Sequence, residues 1–330
     1  MRLEPSEEQI LLRDTVSRFL ADRVDAALIG AGPMPAPDWR GIADLGLLAF
    51  LLEGAADDAT IVAEALGRAL AITPLGEGVI GAGDLVARHG DAAAIERFVA
   101  PLLAGDSILA LARGAARASP GGVSGRLDFV RWAPEAAAIV VLAEDVAHVV
   151  ATDADGVAMT PHRLADGTPA ATVTLSDAPA TVIPLPPGAA ATAFAMVDLA
   201  HAAELIGAMA LLCALTADYV ATRRQFGVEI GSFQVVQHKR ARMFVALEQA
   251  RSLAIKAAAI GRDDPGFVRA AWSAKAYAAE AAQRLAEEAV QLHGGIGVTD
   301  ELAVGRGLRR VMVLARLFGG AGEARVKLAA

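Results

Sequence analysis

The chain has 330 residues, of which 55% are hydrophobic, and it carries a formal net charge of -8. A chain of this length buries a large core and is typical of two or three domains. The negative charge argues against a nucleic-acid-binding surface, the single cysteine excludes an internal disulfide, and no metal-binding motif is predicted.

The first residues, MRLEPSEEQILLRD, are charged and lack the apolar core of a secretory signal peptide. The longest uncharged run of the most hydrophobic predicted helix, residues 205–217, is shorter than the roughly 20 residues that cross a bilayer. We therefore expect a cytoplasmic protein without a membrane span. In a reducing compartment Cys213 is expected to be a small buried core residue.

Several helices are predicted in residues 1–106, which we interpret as an N-terminal helical domain. The first begins at Ser6, where Ser6 and Gln9 form a capping box ahead of apolar residues at helical spacing. The second, DWRGIADLGLLAFLL, is predicted to begin at an N-cap aspartate, Asp38. DATIVAEALGRALAI, which ends before Pro74, and AAAIERFVAPLLAGD complete the set.

Short β-strands are predicted in residues 107–188. Two apolar runs, at 137–143 and 146–151, read as strands, and AATVTLSDAPATVIP holds two more. These runs predict a small β-rich middle domain. The segment PLPPG is interpreted as its exit linker.

Helical periodicity returns from residue 189 onward. Four helices are predicted, at about 191–223, 232–261, 265–292 and 302–317. Long antiparallel helices joined by short loops form a four-helix bundle. The predicted fold class is mainly α with a small β domain: a helical domain (1–106), a middle β-barrel-like domain (107–188) and a C-terminal four-helix bundle (189–330).

A cluster of charged, aromatic and glycine residues, TRRQFGVEIGSFQ, joins the first two bundle helices. In one interpretation Arg223 and Arg224 complement the helix dipole while Phe226 fills the core. In the other the two arginines form a fork for a phosphate, and Gln225 and Gln234 add hydrogen-bonding groups. The composition alone leaves both interpretations open.

A second cluster, EEAVQLHGGIGVTDE, ends the third bundle helix. Gly294 fits an ordinary glycine C-cap, which explains one glycine. Three glycines within four residues indicate that something approaches the backbone closely. The segment is not a P-loop, since no Gly-Lys-Ser/Thr follows, and not a Rossmann fingerprint, since a helix precedes it.

Together, TRRQFGVEIGSFQVVQHKRARM and AVQLHGGIGVTDE resemble the C-terminal domain of the acyl-CoA dehydrogenase family. The segments PSEEQILLRDTVSRFLADRV and IVAEALGRALAITP are similar to that family's N-terminal helices. The helix–β–helix order is also its architecture. The resemblance covers nearly the whole chain, but only the C-terminal motifs are specific.

The resemblance implies an FAD cofactor at a site shared between subunits. In the family, the position of Arg223 contacts the pyrophosphate of an FAD bound mainly by a neighbouring subunit. The positions of Gln225 and Phe226 also touch the flavin, and that of Gln234 lies near the adenine end. The loop that approaches the adenosine and pyrophosphate matches Gln291, Gly294 and Gly295. Shared sites of this kind imply a homodimer or homotetramer.

The implied reaction is α,β-dehydrogenation of an acyl-CoA thioester, in which a carboxylate removes the α-proton and the flavin N5 accepts hydride from the β-carbon. The family's usual catalytic glutamate falls here at Phe318 or Gly319, and neither residue takes a proton. Some members place the glutamate on the first bundle helix, at the position of Val197. Asp198 is therefore the candidate base, provided that the register shifts by one residue.

The middle domain also departs from the family. LALARGAARASPGG stands where catalytic members carry Thr-Glu-Pro and Gly-Ser-Asp segments, and the usual Trp-Ile-Thr-Asn is missing. Trp132 is interpreted as a core or edge residue rather than a flavin contact. Glu204 and Glu323 are interpreted as ordinary acidic helix positions, the latter exposed.

These departures resemble a divergent bacterial branch of the family that forms α2β2 heterotetramers, many of which act on CoA thioesters of steroid side chains. Three interpretations stay open: an FAD-dependent dehydrogenase, with electron-transfer flavoprotein as its redox partner; a non-catalytic subunit that completes the flavin site of a paralogous chain; and a scaffold without flavin. The retained RRQFG and QLHGGIG motifs argue against the scaffold. The small residues of the first bundle helix indicate either a roomy acyl pocket or tight helix packing.

Overall fold

The computed structural model describes residues 5–23, 32–114, 116–119, 122–143, 145–299 and 301–329. They group into two compact units. The first unit takes its described residues from Met1–Ala31, Ala56–Ala71 and Asp198–Ala330, and the second from Gly32–Ala55 and Ile72–Val197. The domain boundaries near residues 106 and 188 stay a prediction.

The helices are α1 (Glu7–Ala21), α2 (Ala36–Asp44), α3 (Leu47–Glu53), α4 (Ala56–Arg68), α5 (Asp84–His89), α6 (Ala92–Ala94), α7 (Ala100–Leu103), α8 (Ala189–Thr222), α9 (Gln234–Ile260), α10 (Phe267–His293), α11 (Ala303–Leu314) and α12 (Gly320–Ala329). A π-helical segment, Leu75–Gly83, leads into α5, and another, Ile95–Val99, joins α6 to α7. The strands are β1 (Leu109–Arg113), β2 (Arg117–Ser119), β3 (Gly122–Arg131), β4 (Ala138–Leu142), β5 (Val146–Ala151), β6 (Val157–Arg163), β7 (Pro169–Ala178), β8 (Thr181–Pro184), β9 (Arg224–Gln225) and β10 (Val228–Glu229).

The predicted start of the first helix is confirmed. The Ser6 hydroxyl accepts from the Gln9 backbone N–H at 3.2 Å, and the Gln9 side chain accepts from the Ser6 backbone N–H at 3.0 Å. This reciprocal pair satisfies two backbone donors that a helix N-terminus leaves free. The Gln9 amide also donates to Asp57 on α4 at 2.7 Å, which links the two helices.

The predicted N-cap at Asp38 is wrong. Helix α2 begins at Ala36 with Pro35 as its N-cap residue, so Asp38 lies in the first turn, where an acidic side chain favours the helix dipole. The expected single helix is also divided. Gly46 adopts a left-handed φ of +72°, which ends α2 and begins α3.

The glycine-rich π-helical segment Leu75–Gly83 was not predicted, because glycine is a poor helix former. This segment belongs to the second unit, and two of its glycines pack closely against other residues of that unit. A Cβ on Gly78 would lie 2.7 Å from the Leu109 carbonyl oxygen, and one on Gly81 would lie 2.7 Å from Val197 Cγ2. Close packing therefore explains glycine at both positions.

The second unit contains two four-stranded sheets. One has the order β1-β4-β5-β8, with β1 parallel to β4 and the other pairs antiparallel, and the other has the order β2-β3-β7-β6. Their apolar side chains share one core, which includes Ile139, Val173 and Leu127. The predicted runs match β4, β5, β7 and β8, and Trp132 is buried in the core as interpreted.

Helices α8 to α11 match the four predicted helices of the bundle, and α12 follows them unpredicted. Helix α8 is long and apolar enough to span a membrane by length and composition, but 78% of its most apolar window is buried inside the protein. This burial is that of a core helix. Cys213, expected to be buried, is half-buried, and burial raises the pKa of its thiol to about 11.

Helices α8 and α4 pack closely at a point where each helix contributes a glycine. A Cβ on Gly67 would lie 1.9 Å from the Glu204 carbonyl oxygen, and one on Gly207 would lie 2.0 Å from the Glu64 carbonyl oxygen. No side chain fits between these backbones. At these positions the small residues of α8 therefore serve tight helix packing, one of the two interpretations left open by the sequence.

A buried ion pair joins α8 to α11. The Arg310 guanidinium donates to the Glu204 carboxylate, and the two side chains are 2% and 3% exposed. Arg310 also reaches the Ala71 carbonyl oxygen at 3.4 Å. Glu204 is therefore a buried acid held in an ion pair. This burial was not predicted from the sequence, where Glu204 was interpreted as an ordinary acidic helix position.

We predict that Arg310→Met destabilises the protein by about 3–5 kcal/mol, because it leaves the Glu204 carboxylate buried without its cation. The free energy of unfolding from chemical denaturation measures this loss. The double variant Glu204→Leu/Arg310→Met removes both charges and should recover most of it. Equal losses in the two variants would show that the packing of the Arg310 side chain, rather than its charge, is what matters.

Candidate functional site

The RRQFG motif forms a small exposed hairpin after α8. Strands β9 and β10 pair in antiparallel fashion, and the turn between them consists of Phe226 and Gly227, with φ of +55° and +86°. Positive φ at both turn residues is typical of a two-residue type I′ turn. The chain then enters α9 through a single 3-10 turn, Ile230–Ser232.

The two arginines of this hairpin have different roles. The Arg224 guanidinium donates to Glu229 and to the Gly227 carbonyl oxygen, both at 2.8 Å, and so closes the hairpin on itself. Arg223 is exposed, and no described residue accepts a hydrogen bond from its guanidinium or pairs with it. The predicted fork therefore reduces to one available cation, Arg223.

The other candidate cofactor residues of this segment lie on the surface. Phe226 is 92% exposed and contacts Phe233 edge-on, with the ring centroids 6.2 Å apart, so the interpretation that it fills the core is wrong. The Gln225 amide donates to the Arg224 carbonyl oxygen at 2.8 Å. Gln234 is exposed at the first position of α9.

The glycine loop after α10 presents open backbone. Gly294 ends the helix with a φ of +69°, and a Cβ on Gly294 or Gly295 would meet nothing within 4 Å. Gly297 is different, because its Cβ would lie 3.0 Å from the Val290 carbonyl oxygen. One glycine thus serves internal packing, while the exposed pair, together with exposed Gln291, leaves room for a molecule outside this chain.

An aromatic contact holds the two motifs side by side. Tyr219, in the last turn of α8, stacks on His293, the last residue of α10, with ring centroids 4.3 Å apart and planes 25° apart. The Tyr219 hydroxyl also donates to the His293 carbonyl oxygen at 3.3 Å. Tyr219 lies four residues before Arg223, and His293 lies directly before Gly294, so this contact fixes the start of both motifs. Neither aromatic was identified from the sequence, although His293 lies within QLHGGIG and Tyr219 lies just before TRRQFG.

The positions expected for the base lie at the other end of α8. Asp198 lies in the first half of α8 and is 4% exposed. His201, one turn further, is fully buried, and its ring stacks on that of Phe318 with centroids 6.0 Å apart. The structure thus brings the two alternative base regions, α8 and the segment after α11, into contact.

The chain reverses sharply at the expected glutamate position. Phe318, Gly319 and Gly320 adopt successive φ values of +54°, +102° and +60°. The reversal turns the first helical turn of α12 back over Gly319. A Cβ on Gly319 would lie 1.8 Å from Oε2 of Glu323, so this carboxylate occupies the space beside the position where the family's glutamate was expected.

The arrangement suits a large anionic cofactor. Among the described residues no group of three or more His, Cys, Asp or Glu side chains is placed to hold a metal. An exposed arginine beside an open glycine loop suits a phosphorylated ligand, because the guanidinium supplies charge and the glycines admit close approach. The residues present therefore fit the pyrophosphate and adenosine part of FAD.

Two family models match this chain. The model described as acyl-CoA dehydrogenase, C-terminal domain, matches residues 188–330, and the model described as acyl-CoA dehydrogenase, N-terminal domain, matches residues 6–106. Acyl-CoA dehydrogenase IpdE2 from Mycolicibacterium smegmatis is 30% identical over a gapped alignment of 335 positions, which covers 95% of each chain.

Solved structures share the fold. The ChsE4-ChsE5 complex from Mycobacterium tuberculosis aligns with a TM-score of 0.90 at 24% identity, over 100% of this chain and 98% of that chain. The Tcur3481-Tcur3483 steroid ACAD aligns with a TM-score of 0.87 at 23% identity, over 98% and 97%. The family models and the relative that matches along its length show that the chain belongs to the acyl-CoA dehydrogenase family, whose members bind FAD.

Proposed function

We propose that this protein is an FAD-dependent acyl-CoA dehydrogenase that introduces a double bond between the α- and β-carbons of an acyl-CoA thioester. The observation that carries the proposal is the exposed Arg223 guanidinium next to the open Gly294-Gly295 backbone, with the two motifs joined through Tyr219 and His293. A scaffold has no need of an available cation beside an open glycine loop. The predicted cytoplasmic location is part of the proposal.

In the proposed site, each residue has a physical role toward the cofactor. Arg223 offers charged donors to the pyrophosphate. Gly294 and Gly295 let the adenosine and pyrophosphate approach the backbone, while Gln225, Phe226, Gln234 and Gln291 supply polar and aromatic contacts at the exposed rim. When bound, FAD accepts the two electrons of the oxidation as a hydride. The protein's own contribution is to orient the thioester and to accept its α-proton.

The exposed apolar side chains around this site indicate a subunit interface. Phe226 projects from the hairpin, and Val235, Phe244 and Val245 lie exposed on α9. Clustered exposed apolar side chains mark association sites in soluble proteins, and the adjacent Phe244 and Val245 form such a pair. We propose that a second subunit covers them and completes the FAD site, either as another copy of this chain or as a paralogue.

The paralogue is the second candidate, and it bears on function. Phe318 and Gly319 stand where the family's glutamate is expected, as they would in a subunit that supports the chemistry of its partner. The related ChsE4-ChsE5 structure is a complex of two different chains. In this version the present chain donates Arg223 and the glycine loop to a flavin site in the paralogue. Electron-transfer flavoprotein is the proposed electron acceptor in either version.

The visible spectrum of the purified chain tests the proposal. We expect flavin absorbance, and its bleaching under anaerobic conditions by at least one of butyryl-CoA, octanoyl-CoA, palmitoyl-CoA and a CoA thioester with a steroid side chain. A colourless chain that acquires flavin and activity only with a co-expressed paralogue supports the partner-subunit version instead. Absence of flavin in both preparations contradicts both versions.

Arginine variants test the cofactor site. Arg223→Ala should weaken FAD binding by about tenfold to a hundredfold, since it removes a charge-assisted interaction. Arg224→Ala is the matched control, because Arg224 is occupied by Glu229 and Gly227 within the hairpin. Titration of the apoprotein with FAD, followed by flavin fluorescence, measures both affinities. Equal weakening in the two variants would contradict the assignment of Arg223.

The association surface has its own test. Phe244→Glu places a charge in the proposed interface and should shift the protein toward monomers, as measured by light scattering after size-exclusion chromatography. Phe50→Glu on α3 is the control, since Phe50 is also an exposed helical phenylalanine. An unchanged mass for Phe244→Glu would place the interface elsewhere.

A further inference from the structure

We infer that Glu323 is the catalytic base, a role for which the sequence nominated only Asp198. The inference rests on the proposed dehydrogenase function and deepens it. It assigns the α-proton of the acyl-CoA thioester to the Glu323 carboxylate, which reaches the expected site from the first helical turn of α12 rather than from the segment before it.

The backbone reversal supplies the geometry. Because three successive residues, 318–320, have positive φ, the chain turns back on itself before α12 begins. The Glu323 side chain then packs directly over Gly319: a Cβ built on Gly319 would lie 1.8 Å from Oε2 and 2.3 Å from Cδ of Glu323. The carboxylate thus fills the space that a side chain at position 319 would enter. A carboxylate from four residues away therefore lies directly beside the position at which the family's glutamate was expected.

Accessibility favours Glu323 over Asp198. A proton acceptor must come within hydrogen-bond distance of the substrate carbon that loses the proton. The Glu323 side chain is 36% exposed, whereas Asp198 is 4% exposed. Phe318 offers no acid, and its ring is stacked on His201. Glu323 therefore combines the expected position with a carboxylate that a ligand can reach.

The charge around Glu323 suits an ionised carboxylate. Lys327, one turn later on α12, lies 2.9 Å from Oε1 of Glu323. The Lys327 ammonium lies 5.2 Å from the centroid of the Trp272 ring on α10, so it is itself positioned by a cation–π contact. The ion pair orients Oε1 and stabilises the anionic form, which is the form that accepts a proton. Oε2, the oxygen nearest the Gly319 position, is the proposed acceptor.

The proposed step is the removal of one proton and one hydride from the acyl-CoA thioester. The α-C–H bond breaks, its proton forms an O–H bond with Glu323, and its electron pair becomes the second bond between the α- and β-carbons. The β-carbon gives up a hydride to oxidised FAD, which is thereby reduced. The thioester is oxidised by two electrons, and the proton remains on the Glu323 carboxyl until it is released to solvent.

The experiment uses the full chain in its flavin-loaded assembly. The probe is the 3-thia analogue of whichever thioester of the panel above bleaches the flavin fastest. With sulfur at the β-position this analogue has no β-hydride to transfer, so loss of its α-proton is measured alone. Deuterium incorporation from D2O, followed by mass spectrometry, gives the rate. We expect Glu323→Gln to slow incorporation by about a hundredfold to ten-thousandfold, with FAD content and thermal midpoint unchanged.

Glutamine is the informative substitution because it keeps the size and the hydrogen-bond acceptor of glutamate but has no basic oxygen anion. Lys327→Gln is the comparison variant: it removes the cation that orients the carboxylate but keeps the carboxylate itself, so incorporation should fall by clearly less than in Glu323→Gln. If Lys327→Gln loses as much as Glu323→Gln, the ion pair rather than the base is required, and the inference fails.

The remaining outcomes also decide the inference. Undiminished incorporation in Glu323→Gln overturns the base assignment and leaves the proposed function intact, and loss in Asp198→Asn alone would move the role to Asp198. If no thioester of the panel bleaches the flavin of the unmodified protein, the proposed function fails first and the base assignment fails with it.

Discussion

The contact between Glu204 and Arg310 governs much of the helical unit. Both charges are withdrawn from water, which is costly unless each compensates the other. The pair therefore holds α11 at one position along α8. Because Phe318 follows α11 closely in sequence and its ring stacks on His201, one turn before Glu204 on α8, the same constraint sets where the chain reverses. The Glu204–Arg310 pair and the His201–Phe318 contact thus both tie α8 to the part of the chain that leads to Glu323.

The two ends of α8 serve separate purposes. Its C-terminal end carries Tyr219 and leads into the Arg223 hairpin, the segment proposed to contact the cofactor. The half that contains Asp198 and His201 faces the segment where a base is expected. At 1.5 Å per residue, the 34 residues of this helix extend for roughly 50 Å. A change at one end can therefore abolish chemistry while leaving cofactor binding intact, so a retained flavin motif does not by itself prove catalysis.

Sequence reasoning succeeded where one local signal dominated. The capping box fixed the start of α1, and apolar periodicity located α8 to α11, because both depend on neighbours within a few positions. It failed where tertiary contacts overrule local preference. The glycines of Leu75–Gly83 lower helix propensity, yet packing against Leu109 and Val197 explains them. Asp38 is a good N-cap residue, but Pro35 precedes it and starts the helix earlier.

The site was predictable in part for the same reason. The motifs and the family resemblance made Arg223, Gly294 and Gly295 candidates, but they did not show which arginine is available, since that depends on the hairpin that commits Arg224 to Glu229. The sequence allowed Phe226 to be interpreted as a core residue, because it does not show that the turn carrying Phe226 projects into solvent. Glu323 was set aside as an ordinary acid, because nothing in its spacing reveals the left-handed residues that fold it back.

The overlap between positions 319 and 323 constrains how this chain can have diverged from its relatives. A side chain at 319 and the present placement of the Glu323 carboxylate exclude each other, since their atoms would stand 1.8 Å apart. Gly319 also has a φ of +102°, which a glutamate adopts only with strain. Introducing the family's residue at 319 would therefore require the Glu323 side chain to move. The two positions are therefore sterically coupled, so that a change at one alters what the other can hold.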